Sequence, residues 1–185
     1  MLIRLIVSIG LGALSVFGLA HAYQSLRATQ TITAQQPLLD EGRYDEALSL
    51  LEAALKLQPQ NPDLWEAKGR VNMLMSSFRP ARREALRADS VAAYRRAIAL
   101  DPLNARRMGH LVEAHLRFDQ PEAALALLRR AYRRDPNNAG LYYFEGLALQ
   151  RLGRLEEARS AYQVSDRIAP RSDGARGLQS LAAGN

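Results

Sequence analysis

The sequence predicts an all-α fold made of stacked antiparallel helix pairs, and two observations support this prediction. The first is an interval of 34 residues between successive prolines at Pro102, Pro136 and Pro170. Each is expected to end a helix, because proline lacks an amide hydrogen and its ring clashes with the preceding turn. The second is a set of small residues in the segment that begins at Ala139: Gly146, Ala158 and Ser165. Small residues at these places let two helix backbones approach, and a unit of this size must stack on neighbours to bury its apolar face.

The composition is that of a single domain without disulfides. The chain has 185 residues, no cysteine and a formal net charge of +6. With the first thirty residues set aside, about 155 remain, and a domain of that size buries roughly two-thirds of its unfolded surface. The absence of cysteine excludes a disulfide framework and a cysteine-based metal site.

Residues 1–27 form a predicted membrane-targeting segment, in which Arg4 precedes an apolar run from Leu5 to Ala20. At about 16 to 18 residues, the run falls between the core of a signal peptide and a membrane-spanning helix. The small residues around His21 support cleavage after Ala22. We favour an uncleaved anchor, because residues 23–36 contain neither glycine nor proline and can continue the helix.

The charges of this segment predict its orientation. Arg4 and the terminal amine keep the N-terminus in the cytoplasm, because positively charged flanks of a membrane segment tend to stay there. In a bacterium, the chain is then a single-pass inner-membrane protein whose remaining residues face the periplasm. Cleavage after Ala22 would instead give a soluble periplasmic protein.

The rest of the chain divides into four predicted repeat units and a tail: 28–61, 62–104, 105–138, 139–172 and 173–185. The first unit departs from the pattern, with Pro37 inside its first helix and Gln35 in place of a glycine, as is typical of a terminal unit. In the tail, two glycines are followed by a predicted helix, Leu178 to Ala183, that caps the last unit.

The second unit is longer than the others. Pro59 and Pro102 are 43 residues apart, so nine residues are inserted, and the insertion lies between Leu74 and Ser90. Pro80 suits the first turn of a helix, and strong helix formers follow it. The second helix of this unit is therefore predicted to start near Pro80 and to project beyond its neighbours.

Residues 28–172 resemble three and a half to four tetratricopeptide repeats (TPRs). The resemblance is most specific in the last unit, at Tyr142, Gly146, Ala158, Tyr162, Ser165 and Pro170. It implies a right-handed TPR solenoid of helical hairpins whose first helices line a concave groove. In this family the groove usually holds a peptide or a helix of a partner protein, although the scaffold serves many functions.

Ten residues of this chain occupy groove positions that the resemblance implies: Arg70, Met73, Arg106, Glu113, Leu116, Arg117, Tyr143, Leu147, Gln150 and Arg151. Arginines in such a groove can bind the carboxylates of an acidic or C-terminal peptide in bidentate fashion. Leu116, Tyr143 and Leu147 are expected to contact apolar side chains. An ordinary solvated concave face is the alternative interpretation.

No metal site, cofactor, small-molecule substrate or catalytic residue is predicted. His110 and His115 lie five residues apart, which separates them by roughly 140° around a helix, whereas histidines that share a metal prefer a spacing of four. His115 is instead expected to be a packed histidine with a hydrogen bond. The chain has no glycine-rich phosphate loop and no nucleophile with a plausible base, so we predict that it is not an enzyme.

Two arginine clusters invite comparison with anion-binding surfaces. One lies in the insertion and the other precedes Pro136: Arg79, Arg82, Arg83 and Arg87; Arg129, Arg130, Arg133 and Arg134. The second cluster has a spacing of four, which is typical of a solvated helix face, and nucleic acid is not a predicted partner. Contact with anionic lipid or an acidic protein is the alternative, with the insertion as its favoured location.

The sequence therefore favours a non-catalytic scaffold or adaptor of the bacterial envelope that holds a partner peptide in its groove while a membrane or periplasmic complex assembles. Its lengthened second repeat is similar to repeat subunits that assist bacterial cytochrome c maturation. Secretion, pilus and polysaccharide-export assemblies are further candidates. The alternative from another class is a permanent structural subunit of a membrane complex.

Overall fold

The computed structural model describes residues 23, 26–171 and 173–183. The predicted membrane-targeting segment lies almost entirely outside these residues. None of the helices in the described part is both long enough and apolar enough to cross a bilayer. The described part contains α-helices and one 3-10 turn but no strand, which confirms the prediction of an all-α fold for these residues.

The helices follow one another as antiparallel neighbours. The first, α1, covers residues 26–40. The others are α2 (Tyr44–Leu57), α3 (Pro62–Phe78), α4 (Arg83–Leu100), α5 (Ala105–Arg117), α6 (Pro121–Tyr132), α7 (Ala139–Arg151), α8 (Leu155–Ile168) and α9 (Asp173–Ala183). The helices α3, α5 and α7 thus begin at Pro62, Ala105 and Ala139, where the sequence pattern begins its units.

Three of the first helices end in the same backbone motif. In α7, the N–H of Arg154 donates to the carbonyl of Leu149 at 2.9 Å, and the N–H of Gly153 donates to Gln150 at 3.1 Å. Gly153 has a φ of +73°, which glycine adopts without steric cost. The same pair of hydrogen bonds closes α1 around Gly42 and α5 around Asp119. These closures make the tight turns that return each second helix against its first.

The insertion in the second unit lengthens both of its helices. The helix α3 has 17 residues and α4 has 18, whereas α5 has 13 and α6 has 12. A 3-10 turn at Pro80–Arg82 separates them, as the proline predicts. The second helix was predicted to start near Pro80, and α4 starts at Arg83. The prediction did not include the extension of α3 to Phe78, which arises because no helix breaker precedes Pro80 and the buried Met75 and Ser76 continue α3 along the core.

Glycines of the first helices make room for aromatic rings of the second helices. A Cβ added to Gly146 would lie less than 3.0 Å from three ring atoms of Tyr162, which is fully buried. A Cβ added to Gly69 would meet the ring of Tyr94 at 3.0 Å. In the first unit the corresponding place is held by Gln35, which is also fully buried. The helix pair of the fourth unit is therefore held at a separation that requires glycine, and that of the second unit leaves only a tight contact for a Cβ.

The capping helix α9 starts at Asp173, five residues earlier than predicted. The reason is that the two glycines taken to precede the helix are part of it. Gly174 packs against Ser165 and Asp166, and Gly177 packs against the ring of Tyr162. Leu181 is 6% exposed and joins the C-terminal core.

The turns between units share a set of hydrogen bonds. Asn61 and Asn138 accept hydrogen bonds from backbone N–H groups of the helix that follows each of them. The indole of Trp65 donates to the carbonyl of Pro59 at 2.8 Å, and the hydroxyl of Tyr142 donates to Pro136 at 3.1 Å. These bonds tie the starts of α3 and α7 to the prolines that end the preceding units.

Candidate functional site: a groove between three first helices

A groove of about 640 Å³ lies between the first helices α1, α3 and α5. It has an apolar part and a charged part. The apolar part is formed by Ile32, Ala67, Met73, Leu74 and Tyr94. The charged and ionisable residues are Asp63, Glu66, Arg70, Arg106, His110, Glu113 and Arg117. Because the residues come from three successive units, the groove exists only in the stacked molecule.

A buried arginine organises one end of the groove. Arg107 is 5% exposed and carries its guanidinium to three carboxylates. Its Nη2 donates to Asp63 at 2.6 Å, its Nε donates to Asp101 at 3.0 Å, and its Nη1 contacts Glu66. The network joins α3, α5 and the turn between α4 and α5, so it holds two units in register and neutralises the charges of Asp63 and Glu66 within the protein.

Glu66 is also held by a histidine. Nδ1 of His110 lies 2.9 Å from Oε1 of Glu66. Burial opposes ionisation of Glu66, but the hydrogen bond to His110 and the charge of Arg107 outweigh it and hold the pKa of this carboxyl below its usual value. Glu66 is therefore ionised at neutral pH, with its charge satisfied within the chain.

The third carboxylate of the groove is paired along its own helix. Nε of Arg117 donates to Oε1 of Glu113 at 2.9 Å, a spacing of four residues on α5. Such an exposed pair contributes little to stability. It does mean that Asp63, Glu66 and Glu113 all have a cationic partner in the structure.

Arg70 and Arg106 differ from the other charged residues of the groove. Both are exposed, and within the part of the chain that the structure describes neither makes an ion pair or a side-chain hydrogen bond. Arg70 projects from α3 and Arg106 from the first turn of α5. The groove therefore presents uncompensated positive charge beside apolar side chains, an arrangement that suits an anionic group on a partly apolar ligand.

Five of the ten residues that the sequence singles out line this groove: Arg70, Met73, Arg106, Glu113 and Arg117. Leu116 does not, and its expected role in the groove was wrong. It is 3% exposed and belongs to the central core with Phe118 and Leu128. The helix α5 is rotated so that this side chain faces its neighbours instead of the groove.

The four predicted residues on α7 lie outside the groove. Tyr143 and Leu147 are half-buried against the C-terminal core, where Leu178 of α9 also packs. Gln150 accepts a hydrogen bond from the hydroxyl of Tyr162 at 2.8 Å and lies 3.4 Å from Ser180 of α9. Arg151 donates to the carbonyl of Leu116. The polar side-chain atoms of Gln150 and Arg151 are thus engaged within the chain.

Sequence reasoning missed several residues of the site. Ile32 and its neighbours Thr29 and Thr33 line the groove from α1, whose repeat pattern is weak. Arg107 was missed because its role depends on Asp63 and Glu66, which lie more than forty residues earlier. The only sequence signal for the role of Arg107 is Asp101, which lies six residues earlier in the turn that precedes α5.

The two histidines that the structure describes differ in environment: His115 is packed in the core, and His110 lines the groove. His115 is 7% exposed, and its Nδ1 lies 2.8 Å from Oε1 of Gln120, which confirms the expectation of a packed, hydrogen-bonded histidine. Among residues 23, 26–171 and 173–183, no group of three or more histidine, aspartate or glutamate side chains has the arrangement of a metal site.

Comparison with known proteins identifies the repeat family that this architecture matches. Sequence models of the tetratricopeptide repeat match residues 81–139 and 111–173, and a second model with the same description matches residues 28–71. A curated relative, the BBSome complex member BBS4 of Xenopus tropicalis, is 30% identical over 119 residues, which are 64% of this chain but 21% of that protein. The chain thus spans about a fifth of the length of this relative.

Solved structures with a similar fold have lower sequence identity. A thermophilic TPR protein of Thermus thermophilus has a TM-score of 0.68 and 23% identity, covering 85% of this chain and 82% of that one. PilF of Pseudomonas aeruginosa has a TM-score of 0.70 and 20% identity, covering 87% of this chain and 70% of its own. MamA of Desulfovibrio magneticus RS-1 has a TM-score of 0.66 and 20% identity, covering 85% and 84%.

These structural similarities establish the fold alone, whereas the sequence matches establish the family. TPR proteins generally act as scaffolds for protein–protein interactions and are typically not catalytic. Since the repeat models match most of residues 28–173, this chain belongs to the tetratricopeptide repeat family.

Proposed function

We propose that this protein is a non-catalytic adaptor that holds an acidic or C-terminal segment of a partner protein in the groove between α1, α3 and α5. One observation carries the proposal. The carboxylates of the groove are all paired within the chain, while Arg70 and Arg106 have no anionic partner there. The groove therefore carries uncompensated positive charge that a negatively charged ligand would neutralise.

The apolar part of the groove supplies the second component of binding. Met73 and Tyr94 are almost fully buried yet reach the groove surface, and Ile32 and Leu74 flank them. A peptide that places an apolar side chain here and carboxylates at Arg70 and Arg106 would satisfy both parts. Arginine binds carboxylates in bidentate geometry, which gives such a complex a defined orientation.

The proposed setting is the bacterial envelope, with the N-terminal segment attaching the chain to the inner membrane and the repeats in the periplasm. The apolar run from Leu5 to Ala20 and the charge of Arg4 support this setting. The adaptor would then present its partner segment during assembly of a membrane or periplasmic complex, as cytochrome c maturation requires. Cleavage after Ala22 would leave the same adaptor soluble in the periplasm.

The test is a selection of peptides from a displayed library on the purified full chain. We expect the selected peptides to carry carboxylates, and we expect the double variant Arg70→Glu with Arg106→Glu to bind them at least about tenfold more weakly. The reason is that each charged hydrogen bond contributes about 1.5–3 kcal/mol.

The matched control is Arg129→Glu with Arg159→Glu, which changes the charge equally at exposed residues of α6 and α8. This control should bind as the wild type does. Selected peptides without acidic residues, or equal losses in the two double variants, would contradict the proposal. Arg117 and Arg151 are less informative targets, because they already bond to Glu113 and Leu116.

A permanent structural subunit of a membrane complex is the second candidate. The observation that favours it is the engagement of Gln150 and Arg151 within the chain, which confines the open groove to the first three units. Introducing Arg70→Glu with Arg106→Glu in cells separates the two functions. A native complex that stays intact and active would favour the structural subunit, and loss of the partner would favour the adaptor.

A further inference from the structure

The turns between repeat units lie along one edge of the molecule, which we call the inter-repeat edge. It comprises the turns at 58–61, 101–104, 135–138 and 169–171 with the ends of the helices that they join. Contacts between these segments show that they are neighbours. Arg107 at the start of α5 bonds to Asp63 at the start of α3 and to Asp101 in the turn, and Arg96 near the end of α4 bonds to Gln60. The first residues of α1 belong to the same edge, because Thr29 lines the groove with Asp63 and Arg106.

Exposed apolar side chains are concentrated on this edge. In the described part of the chain, seven large apolar residues are exposed. Leu26, Leu57, Leu103 and Ile168 lie on this edge, and Tyr23 lies beside it, with its ring centre 5.3 Å from the guanidinium of Arg27. Leu57 and Leu103 are each 70% exposed at the ends of successive units. The other two, Phe78 and Leu155, lie at the opposite edge, where the turns within units are found. Exposed apolar side chains thus recur at the inter-repeat edge in successive units, beside the arginines at the end of α6.

Unpaired cations accompany these side chains. A cleft of about 360 Å³ lies between the turn residue Pro102, Met108 and three arginines of the α6 end: Arg130, Arg133 and Arg134. The side chains of these three arginines, and those of Lys56 and Arg167 at the ends of α2 and α8, make no ion pair or hydrogen bond with any residue that the structure describes. Positive charges held together without counter-charges favour the binding of anions.

The opposite edge differs in its charge pairing. Arg43 pairs with Glu41 and Glu46, Arg79 pairs with Asp45, and Arg154 pairs with Glu157. The insertion also lies at this opposite edge, and its Arg87 pairs with Glu84. The sequence favoured the insertion as the site of lipid contact. Two of its four arginines, Arg79 and Arg87, already have carboxylate partners, and Arg83 donates to the carbonyl of Ser76, so fewer cations are available there.

We propose that the inter-repeat edge lies on the surface of a membrane that contains anionic phospholipids. Leu57 and Leu103 would enter the headgroup region, and Arg130, Arg133 and Arg134 would contact lipid phosphates. Arginine suits this role because its planar guanidinium binds phosphate through two parallel hydrogen bonds. Apolar side chains beside cations are the combination by which proteins bind anionic interfaces.

The position of the N-terminal apolar run favours a lipid surface, and not an acidic protein, as the partner of the inter-repeat edge. The apolar run from Leu5 to Ala20 is separated by five residues from residue 26, where α1 begins, and α1 begins at the inter-repeat edge. The inference rests on the proposed function in one respect: attachment through the N-terminal segment would bring the membrane to the edge at which α1 begins. It does not rest on peptide binding in the groove, which involves Arg70 and other side chains.

The experiment uses the absence of cysteine in the chain. Leu103→Cys and Leu155→Cys in the full chain each provide a single site for an environment-sensitive fluorophore, on the inter-repeat edge and on the opposite edge. Both proteins are studied with vesicles of equal parts phosphatidylcholine and phosphatidylglycerol, and with vesicles of phosphatidylcholine alone. Lipids that carry a nitroxide on the headgroup quench a label that reaches the membrane surface.

We expect the label at position 103 to shift to shorter wavelength and to be quenched in the anionic vesicles, while the label at position 155 does neither. Added salt should reduce the quenching, because screening is effective beyond about 10 Å at 0.1 M salt. Arg130→Gln with Arg133→Gln and Arg134→Gln should abolish the difference between the labels. The matched control Arg79→Gln with Arg82→Gln and Arg83→Gln should retain it.

Three results would overturn the inference. Equal quenching at positions 103 and 155 would show that the edge has no preferred contact. Equal quenching in the two kinds of vesicle would show that anionic lipid is not required for the contact. A spectral shift at position 103 without vesicles, with a doubled mass in solution, would identify a second copy of the chain as the occupant. Failure of the proposed function is seen separately, in peptide binding by Arg70→Glu with Arg106→Glu.

Discussion

The contact between Gly146 and Tyr162 leaves no space for a side chain on α7. Gly146→Leu should lower the free energy of unfolding by about 1–3 kcal/mol, because overpacking forces the two helices apart. Denaturant unfolding followed by circular dichroism measures this change. Near-wild-type stability of the variant would contradict the register of the repeat.

Gly109 provides the control for this prediction. A Cβ at Gly109 would lie 3.7 Å from the nearest atom, a Cδ of Leu141, which is ordinary van der Waals contact. Gly109→Ala should therefore raise the free energy of unfolding by about 0.5–1 kcal/mol, since alanine loses less backbone entropy in a helix. The two substitutions in helices α7 and α5 are thus expected to have opposite signs.

The ionised Glu66 makes stability depend on pH. Its pKa is lower in the folded protein than the usual 4.5, so the unfolded chain binds more protons at acidic pH. Its contribution to the free energy of unfolding is complete above about pH 4.5 and is lost as the pH falls through the folded pKa. Glu66→Gln should lower stability at neutral pH and reduce the further loss on acidification.

Unfolding in urea at neutral and acidic pH, for wild type and variant, tests this dependence. Some loss on acidification should persist in the variant, because the hydrogen bonds from Arg107 and Asn104 also lower the pKa of Asp101. An identical pH dependence for the two proteins would show that Glu66 does not contribute.

At the scale of the helix, the three related ends of α1, α5 and α7 differ in one residue. Gly42 and Gly153 have positive φ without strain, whereas Asp119 adopts a φ of +58° with a side chain. Asp119→Gly should raise the free energy of unfolding by about 1 kcal/mol, the lower end of the cost of this conformation for residues with a Cβ. Thermal and chemical unfolding measure the change.

Gly153→Ala is the reciprocal variant at the end of α7. Nothing lies within 4 Å of an added Cβ, so any loss of stability comes from the backbone conformation alone. We expect a loss of about 1 kcal/mol. If both variants leave stability unchanged, the left-handed residue is not a determinant of these helix ends.

At the scale of the whole molecule, α9 closes the C-terminal end of the stack. Its glycines pack on Tyr162 and Ser165, and Leu181 is buried in the same core. A chain that ends at Ser172 should lose at least about 1.5–3 kcal/mol for the burial of Leu181 alone. It should also self-associate, because the apolar face of α8 becomes exposed.

Light scattering after size-exclusion chromatography and a thermal unfolding curve test this prediction. A monodisperse truncated chain with the mass and the melting temperature of the full chain would show that the fourth unit is stable without its cap. A lower melting temperature with an increased mass is the expected result.

The groove is also a property of the whole molecule. Ile32 comes from the first unit, Arg70 from the second and Arg106 from the third, and the three lie together only because the units stack. The residues that the TPR resemblance implied on α3 and α5 reached the groove with the exception of Leu116. Those on α7 did not, because the core beneath α9 and the carbonyl of Leu116 engage them.

The sequence by itself determined the fold class, the length of the repeat unit and the position of the insertion. These features depend on local chemistry: proline ends helices, glycine allows close approach and positive φ, and apolar residues recur with the helical period. Such signals act within a few residues or a few turns, so they can be read along the chain.

Only the tertiary structure decided which charges remain available to a partner. Arg107 resembles Arg106 in sequence, yet Arg107 is buried against Asp63 and Glu66 while Arg106 is exposed in the groove. Likewise, Arg79 is paired with Asp45, and Arg133 has no partner among the described residues. Pairing depends on side chains from different units meeting in space, and the rotation of each helix within the stack sets those meetings.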